Sequence, residues 1–212
     1  MAFNRRGFVA ALFAAGSLLT VPAFAQPAAK DFTPIVPAQP SEEPGKIEVL
    51  EFFSYGCPHC AEFEPLLSPW VARQGADVVV RKVPVSFGRA AWANVARLYY
   101  ALEATGDLKR LEADIFKAIH AERINLFDEK TMQDWLVKKG VDARKFSEVF
   151  SSFGIMSKVK RGDQLAQAYK IQGVPALAVD GKYLVGGKDF AEALAITDKL
   201  IAKSRSEKSG KK

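Results

Sequence analysis

Two cysteines separated by two residues are the part of this sequence best suited to chemistry. The chain has 212 residues and only two cysteines, Cys57 and Cys60, in the order Cys-Pro-His-Cys. A disulfide between them closes a loop too short to restrict the unfolded chain strongly, because the entropic effect of a cross-link grows with loop length. We therefore expect a redox-active disulfide, with a structural bridge as the alternative.

A helix that begins at the first cysteine gives the two sulfur atoms different properties. The nearly continuous apolar run Lys46–Phe53 predicts a strand buried on both faces, and a helical pattern follows from Cys57 to about Arg73. At the helix N-terminus, unpaired N–H groups and the helix dipole lower the pKa of a thiol. We expect Cys57 to be exposed and ionised, and Cys60, one turn further on, to be buried and less ionised.

The residues between the cysteines adjust the balance between thiol and thiolate. Pro58 has no N–H to donate, whereas a protonated His59 adds positive charge beside Cys57. The motif is also half of a possible zinc site, but only His59 and His120 are available to complete four ligands. We expect no metal and no other cofactor, and we assign His120 no role.

A glutamate in the predicted strand is the second candidate for chemistry. The alternation of KIEVLEFF places Glu51 on the same face as three apolar residues, so we expect it to be buried. Burial raises the pKa of a carboxyl group, and such a group can carry a proton to and from Cys60. The alternative is a structural glutamate that pairs with Lys82 of the next strand or with another cation.

The elements around the motif alternate between strand and helix. Asp77–Val85 predicts a second strand parallel to the first, which gives a right-handed βαβ unit. Helical spacing of apolar residues dominates the middle of the chain, with Asp128 and Asp142 as candidate N-caps. A further helix follows, then a hairpin that turns at Asp180-Gly181 and a last helix from about 190 to 202.

The N-terminal region differs in composition from the rest of the chain. Residues 1–25 combine the pair Arg5-Arg6, an apolar run of 14 residues and small residues near the end, which indicates a secretory signal peptide cleaved after Ala25. The run is shorter than the roughly 20 residues that a membrane anchor needs. The arginine pair leaves export by the twin-arginine route open. Residues 26–45 contain five prolines and predict an extended leader with one short edge strand.

The excess of positive charge lies outside the predicted globular region. The formal net charge is +6, yet residues 26–202 carry 23 basic and 23 acidic side chains. Residues 203–212 carry five basic side chains and one acidic one. Because this segment is short and polar, it predicts a disordered tail and gives no reason to expect nucleic-acid binding.

Two motifs resemble one known family. The segment EFFSYGCPHCAEFE from Glu51 to Glu64, together with GVPA from Gly173 to Ala176, is similar to the DsbA family of the thioredoxin superfamily. The resemblance implies an α/β thioredoxin fold, with βαβ and ββα halves around a central sheet and a helical insertion domain. It also implies a cis Val174-Pro175 peptide packed against the disulfide, beside a peptide-binding groove.

The resemblance also implies roles for individual residues. Cys57 matches the family nucleophile, Cys60 the buried thiol and Glu51 the buried acid, whereas Glu64 and Lys82 match charged groups that influence proton movement. The implied activity is oxidation of reduced, newly exported proteins in the bacterial periplasm. The implied enzyme is a monomer that a DsbB-like, quinone-linked membrane protein reoxidises. Some relatives have a second, non-catalytic disulfide, for which this chain lacks the cysteines.

The sequence thus predicts six segments and leaves two other functions open. The segments are a signal peptide (1–25), a proline-rich leader (26–45), the N-terminal half of the thioredoxin fold (46–86), a helical insertion (87–154), the C-terminal half (155–202) and a basic disordered tail (203–212). One other function is a disulfide isomerase or reductase of the same fold. The second is a periplasmic chaperone or metal-binding module without redox activity.

Overall fold

Five strands and seven helices make up the part of the chain that the computed structural model describes, residues 31–210. The strands are β1 (Phe32–Pro34), β2 (Ile47–Phe53), β3 (Val78–Pro84), β4 (Ala176–Val179) and β5 (Tyr183–Val185). The helices are α1 (Pro58–Ala72), α2 (Ala90–Thr105), α3 (Leu108–His120), α4 (Glu129–Lys138), α5 (Ala143–Phe150), α6 (Phe153–Ala168) and α7 (Phe190–Ser209). The strands form one mixed sheet in the order β1-β5-β4-β2-β3.

Strand β2, which leads to the cysteines, is buried along its whole length. Every one of its residues is buried, as its nearly continuous apolar sequence predicts. It pairs in parallel with β3, where Glu51 lies opposite Lys82, and antiparallel with β4. Helix α1 connects the two parallel strands, so β2, α1 and β3 form the predicted βαβ unit. The α/β fold class is confirmed.

The hairpin of β4 and β5 turns where the sequence predicts it. Asp180 and Gly181 both have a positive φ, 52° and 66°, which suits a tight two-residue turn. A β carbon at position 181 would also lie 1.9 Å from the carbonyl oxygen of Gln39, so only glycine fits. The leader is held here as well, because β1 adds to β5 as an edge strand.

The helices between β3 and β4 join the cysteines in one apolar core. Side chains of α2, α3, α4 and α5 pack with Phe53, Tyr55, Cys57 and Cys60 in a single buried cluster. Asp128 and Asp142 cap α4 and α5 by accepting hydrogen bonds from N–H groups in the first turn, as predicted. The helical block therefore forms one wall of the cysteine site.

The predicted disordered tail, 203–212, is helical up to Ser209, so that prediction is wrong for most of its length. Two of its basic side chains form ion pairs with carboxylates of the globular body: Arg205 with Asp77 at 2.6 Å, and Lys208 with Asp180 at 2.7 Å. Composition suggests a solvated tail because it does not reveal partners that are distant in sequence.

The predicted signal peptide, 1–25, lies outside the described residues, as do residues 26–30 of the leader and the last two residues of the tail. Between residues 31 and 210, no helix combines the length and the apolar character that crossing a membrane requires.

Removal of residues 203–212 tests the helical end of the chain. We expect the shortened protein to lose about 1–3 kcal/mol of unfolding free energy. Asp180, whose side chain is 4% exposed, loses its contact with Lys208, and the buried Ser204 is removed. Urea denaturation at pH 7 measures the difference, with removal of residues 211 and 212 alone as the control. Equal stability of the two shortened proteins would contradict a docked helix.

Candidate active site

The two cysteines lie at the beginning of α1. Cys57 is the N-cap residue with an extended backbone, and Pro58 is the first helical residue. Proline is favourable there because the N–H groups of a first turn have no partner within the helix. Cys60 lies one turn further on, and its N–H donates to the carbonyl oxygen of Cys57 at 3.1 Å. Both cysteines are free thiols in this structure.

Neither thiol is freely exposed. Cys57 is 6% exposed and Cys60 is 1% exposed. The expectation of an exposed Cys57 is therefore wrong, although it remains the more accessible of the two. The loop before β4 contributes to its cover, because the carbonyl oxygen of Val174 lies 3.3 Å from Sγ of Cys57.

The surroundings of the two thiols move their pKa values apart. A hydrogen bond from the Cys60 thiol is the largest cause that lowers the pKa of Cys57, from 9.0 to about 6. The N–H groups of Cys60 and His59 and the charge of His59 add to this effect, and burial opposes it. The pKa of Cys60 is raised, because its thiol donates to Cys57 and is buried. At neutral pH, Cys57 is a thiolate and Cys60 a thiol.

His59 is exposed and has an acidic partner that the sequence analysis did not identify. Its Nδ1 lies 3.1 Å from Oε2 of Glu62, one turn along α1. The hydrogen bond and the charge of Glu62 raise the pKa of His59 above its ordinary value of 6.5. A larger fraction of His59 is therefore protonated at neutral pH, which favours the thiolate of Cys57.

The Val174-Pro175 segment lies across from the cysteines. Its peptide bond is cis, and the carbonyl oxygen of Val174 is within hydrogen-bond distance of the Cys57 sulfur when Cys57 is a protonated thiol. An apolar groove extends from Pro175 along the end of the sheet and the start of α7. Its lining includes Phe63, Pro175, Leu177, Leu184 and Phe190.

Lys82 of β3 brings together three carboxylates. Its Nζ lies 2.5 Å from Oε2 of Glu64 and 2.8 Å from Oε1 of Glu112. The distance from Nζ to Oε2 of Glu51 is 3.7 Å, which is too long for a hydrogen bond. The residues Glu51, Glu64 and Lys82 that the sequence analysis selected therefore form one cluster, together with Glu112.

Glu51 is the most buried carboxyl group of this cluster. Its side chain is 2% exposed, and Oε2 has no hydrogen-bond partner among the described residues. Burial raises its pKa from 4.5 to about 8, against the lowering effect of Lys82. Negative charge on Glu51 in turn raises the pKa of Cys60. Both interpretations of Glu51 find support, because it is a weak partner of Lys82 and a carboxyl group that retains its proton.

The sequence analysis missed the partners of three further polar residues, two around the site and one on the opposite face of β2. Glu112 lies beside Leu111 at the edge of the buried face of α3, and nothing in the helical pattern indicates that it reaches Lys82. Glu48 is a buried acid of β2, paired with Arg81 at 3.2 Å. His120, to which we assigned no role, has Nε2 at 2.7 Å from the carbonyl oxygen of Tyr55.

The chain is similar to known proteins over most of its length. Residues 48–195 match the family described as the DSBA-like thioredoxin domain. The thiol:disulfide interchange protein DsbA of Bordetella parapertussis is 44% identical over 201 residues, which cover 93% of this chain and 95% of that protein. The protein of the same name from Pseudomonas aeruginosa is 38% identical over 183 residues, which cover 84% and 85%.

Solved structures show the same similarity. The crystal structure of Pseudomonas aeruginosa DsbA superimposes with a TM-score of 0.80 at 37% identity and covers 86% of this chain and 95% of that one. DsbA from Xylella fastidiosa superimposes with a TM-score of 0.79 at 33% identity, covering 84% and 96%.

Replacement of Cys60 tests the origin of the low Cys57 pKa. In the reduced protein we expect the ultraviolet absorbance of the thiolate to titrate at about pH 6. In Cys60→Ala we expect the midpoint to rise by about one unit or more, because the main hydrogen bond to the thiolate is lost. Cys60→Ser is the matched control. Its hydroxyl group can still donate a hydrogen bond to Cys57, so its thiolate midpoint should lie between those of the wild type and Cys60→Ala. An unchanged midpoint in Cys60→Ala would contradict this origin.

Proposed function

The chain belongs to the DSBA-like thioredoxin domain family, and from this membership we propose that it is a periplasmic protein-disulfide oxidase. It transfers the Cys57–Cys60 disulfide to reduced, newly exported proteins by thiol-disulfide exchange. The observation that carries the proposal is the difference between the two thiols, since the pKa of Cys57 is lowered and that of Cys60 is raised. A thiol of low pKa leaves readily in an exchange reaction.

The transfer consists of two displacements. A client thiolate attacks Sγ of Cys57 in the oxidised enzyme, the Cys57–Cys60 bond breaks, and its electron pair passes to Sγ of Cys60. Cys60 takes a proton, and the client is joined to Cys57 by a mixed disulfide. A second client thiolate then attacks the client sulfur of this bond, and Cys57 leaves as a thiolate. The client loses two electrons and gains a disulfide, and the enzyme is reduced.

The direction of transfer follows from which state of the enzyme is stabilised. The N–H groups of His59 and Cys60, the Cys60 thiol and the charge of His59 all favour negative charge on Cys57. That charge exists only after the disulfide has opened, so these interactions stabilise the reduced enzyme. Pro58 and His59 thus adjust the redox balance, and a reduced client is the favoured electron donor.

Glu51 is the proposed proton carrier for Cys60. Its carboxyl group is protonated at neutral pH because burial raises its pKa to about 8. It can therefore donate a proton when Cys60 is released and accept it again when the disulfide re-forms. Lys82 and Glu64 carry charges beside Glu51, and these charges influence whether its carboxyl group keeps the proton.

The client lies beside Cys57, with its backbone near the cis Val174-Pro175 segment. The groove that extends from Pro175 is mainly apolar, which suits the exposed hydrophobic segments of unfolded proteins. Substrate proteins are therefore recognised by apolar contacts in the groove and by the exchange reaction, with low sequence specificity.

Reoxidation requires an acceptor of two electrons, which we propose to be a DsbB-like, quinone-linked membrane protein. We also propose that the enzyme acts as a monomer. It needs no bound cofactor, because the cysteine pair itself carries the electrons. Residues 1–25 are the proposed signal peptide, which directs export and is removed by cleavage after Ala25. The boundaries of the predicted segments at 45, 86 and 154 stay predictions, whereas the boundary at 202 falls inside α7.

Replacement of Cys57 tests the function. With glutathione disulfide as oxidant, we expect wild-type protein to oxidise a reduced client. Cys57→Ser should leave only the uncatalysed rate, because no Cys57–Cys60 disulfide can form and the remaining sulfur, that of Cys60, is buried. Cys60→Ser is the control: after reaction with glutathione disulfide, it should form a mixed disulfide between Cys57 and a client that has a single thiol, with release of glutathione. Normal activity of Cys57→Ser would contradict the mechanism, and higher wild-type activity on scrambled than on reduced clients would indicate an isomerase.

A further inference from the structure

The ammonium group of Lys82 is shared unequally among three carboxylates. Its short contacts go to Glu64 and Glu112, whereas Glu51 receives a contact of 3.7 Å. The second oxygen of Glu64 is also satisfied, because the Ser68 hydroxyl donates to it at 2.6 Å. Glu51 is thus the carboxyl group of the cluster with the fewest polar partners and the deepest burial.

The balance of charge in the cluster requires a proton. One ammonium and three ionised carboxylates would leave two negative charges in a region where all four side chains are at most 20% exposed. Burial of unpaired charge is costly, so a carboxyl group in such a cluster retains a proton. Because Glu64 and Glu112 take the short contacts to Lys82, the proton remains on Glu51.

We propose that Glu112 is a positioning residue for the proton step. By binding Lys82, it holds the ammonium group away from Glu51, so that the Glu51 carboxyl group stays protonated and can supply Cys60. This role rests on the proposed exchange at Cys57 and Cys60 and adds a residue of the helical block to it.

Helix α3 is placed firmly enough to hold Glu112 in this position. Leu111, Ile115 and Phe116 of α3 are buried in the same apolar cluster as Phe53 and Cys60. Glu112 lies at the edge of that buried face and reaches across to Lys82 in the sheet. The helical block therefore contributes a charge to the site as well as a wall.

The other titratable groups around Glu51 do not replace this effect. Tyr55 and Tyr99 face the same region, but burial raises the pKa of both, so they are neutral. Cys60 is a neutral thiol in the reduced protein. The charges that act on Glu51 are then Lys82 from β3, Glu64 from α1 and Glu112 from α3.

The test is Glu112→Gln, which keeps an acceptor oxygen for Lys82 and removes the charge. Without that charge, Lys82 can bind Glu51, and ionised Glu51 meets less repulsion. We expect the pKa of Glu51, followed by carbon-13 NMR of labelled glutamate, to fall by about one unit. The Glu51 signal is assigned from its loss in Glu51→Gln.

Asp114→Asn is the matched control, because it also removes a negative charge from α3. Asp114 pairs with Lys139 at 2.7 Å and does not contact Lys82. Its Glu51 midpoint should equal that of the wild type. An equal or higher Glu51 midpoint in Glu112→Gln overturns the proposal. This titration uses the reduced protein alone, so it decides the role of Glu112 even if the protein oxidises no client.

A second readout connects the charge to the exchange reaction. The rate at which dithiothreitol reduces the oxidised enzyme is measured by rapid mixing at several pH values. Above the Glu51 midpoint, the Glu51 carboxyl group is ionised and can no longer donate a proton to Cys60, so this rate should fall. The fall in rate per dithiothreitol thiolate should begin about one pH unit lower in Glu112→Gln than in wild type and Asp114→Asn. A lowered Glu51 midpoint with an unmoved rate profile overturns the supply of a proton to Cys60.

Discussion

The hydrogen bonds that hold negative charge on Cys57 are the interactions on which the rest of the site depends. They depend on the position of Cys57 before the first turn of α1, from which the N–H groups of His59 and Cys60 lower the pKa of its thiol. The strongest of them comes from Cys60, which can act as a donor only while its own thiol keeps its proton in the buried core. The low pKa of one cysteine and the high pKa of the other are thus two aspects of one arrangement.

The rest of the fold supports this arrangement by burying Cys60 and Glu51 and by placing Lys82 and its acidic partners beside them. Strand β2 and the helical block bury Cys60, and a nearby acid is the proposed route for the proton that it gains or loses. Glu51 can serve because it too is buried, and Lys82 makes its burial tolerable without binding it closely. Glu64 and Glu112 anchor the lysine from two different helices. The thiol pair and the carboxylate cluster are therefore parts of one buried polar system.

Local features of this structure could be predicted from the sequence, whereas contacts between distant segments could not. The burial of β2, the helix start at Cys57, the caps at Asp128 and Asp142 and the turn at Asp180-Gly181 each depend on a few neighbouring residues. The cover over Cys57 and the reach of Glu112 depend on how the helical block packs on the sheet, which no local pattern encodes. The continuation of the C-terminal helix from 203 to Ser209 was missed for the same reason.

Stabilisation of the Cys57 thiolate should make the Cys57–Cys60 disulfide oxidising, and the reduction potential of the pair measures this effect. The equilibrium between the Cys57–Cys60 pair and glutathione buffers at pH 7 gives that potential. The known reference values are about −270 mV for thioredoxin and about −120 mV for DsbA itself. We predict a potential much closer to the DsbA value, with the disulfide more oxidising than glutathione. A potential near that of thioredoxin would contradict the account, because the thiolate would then not favour the reduced enzyme.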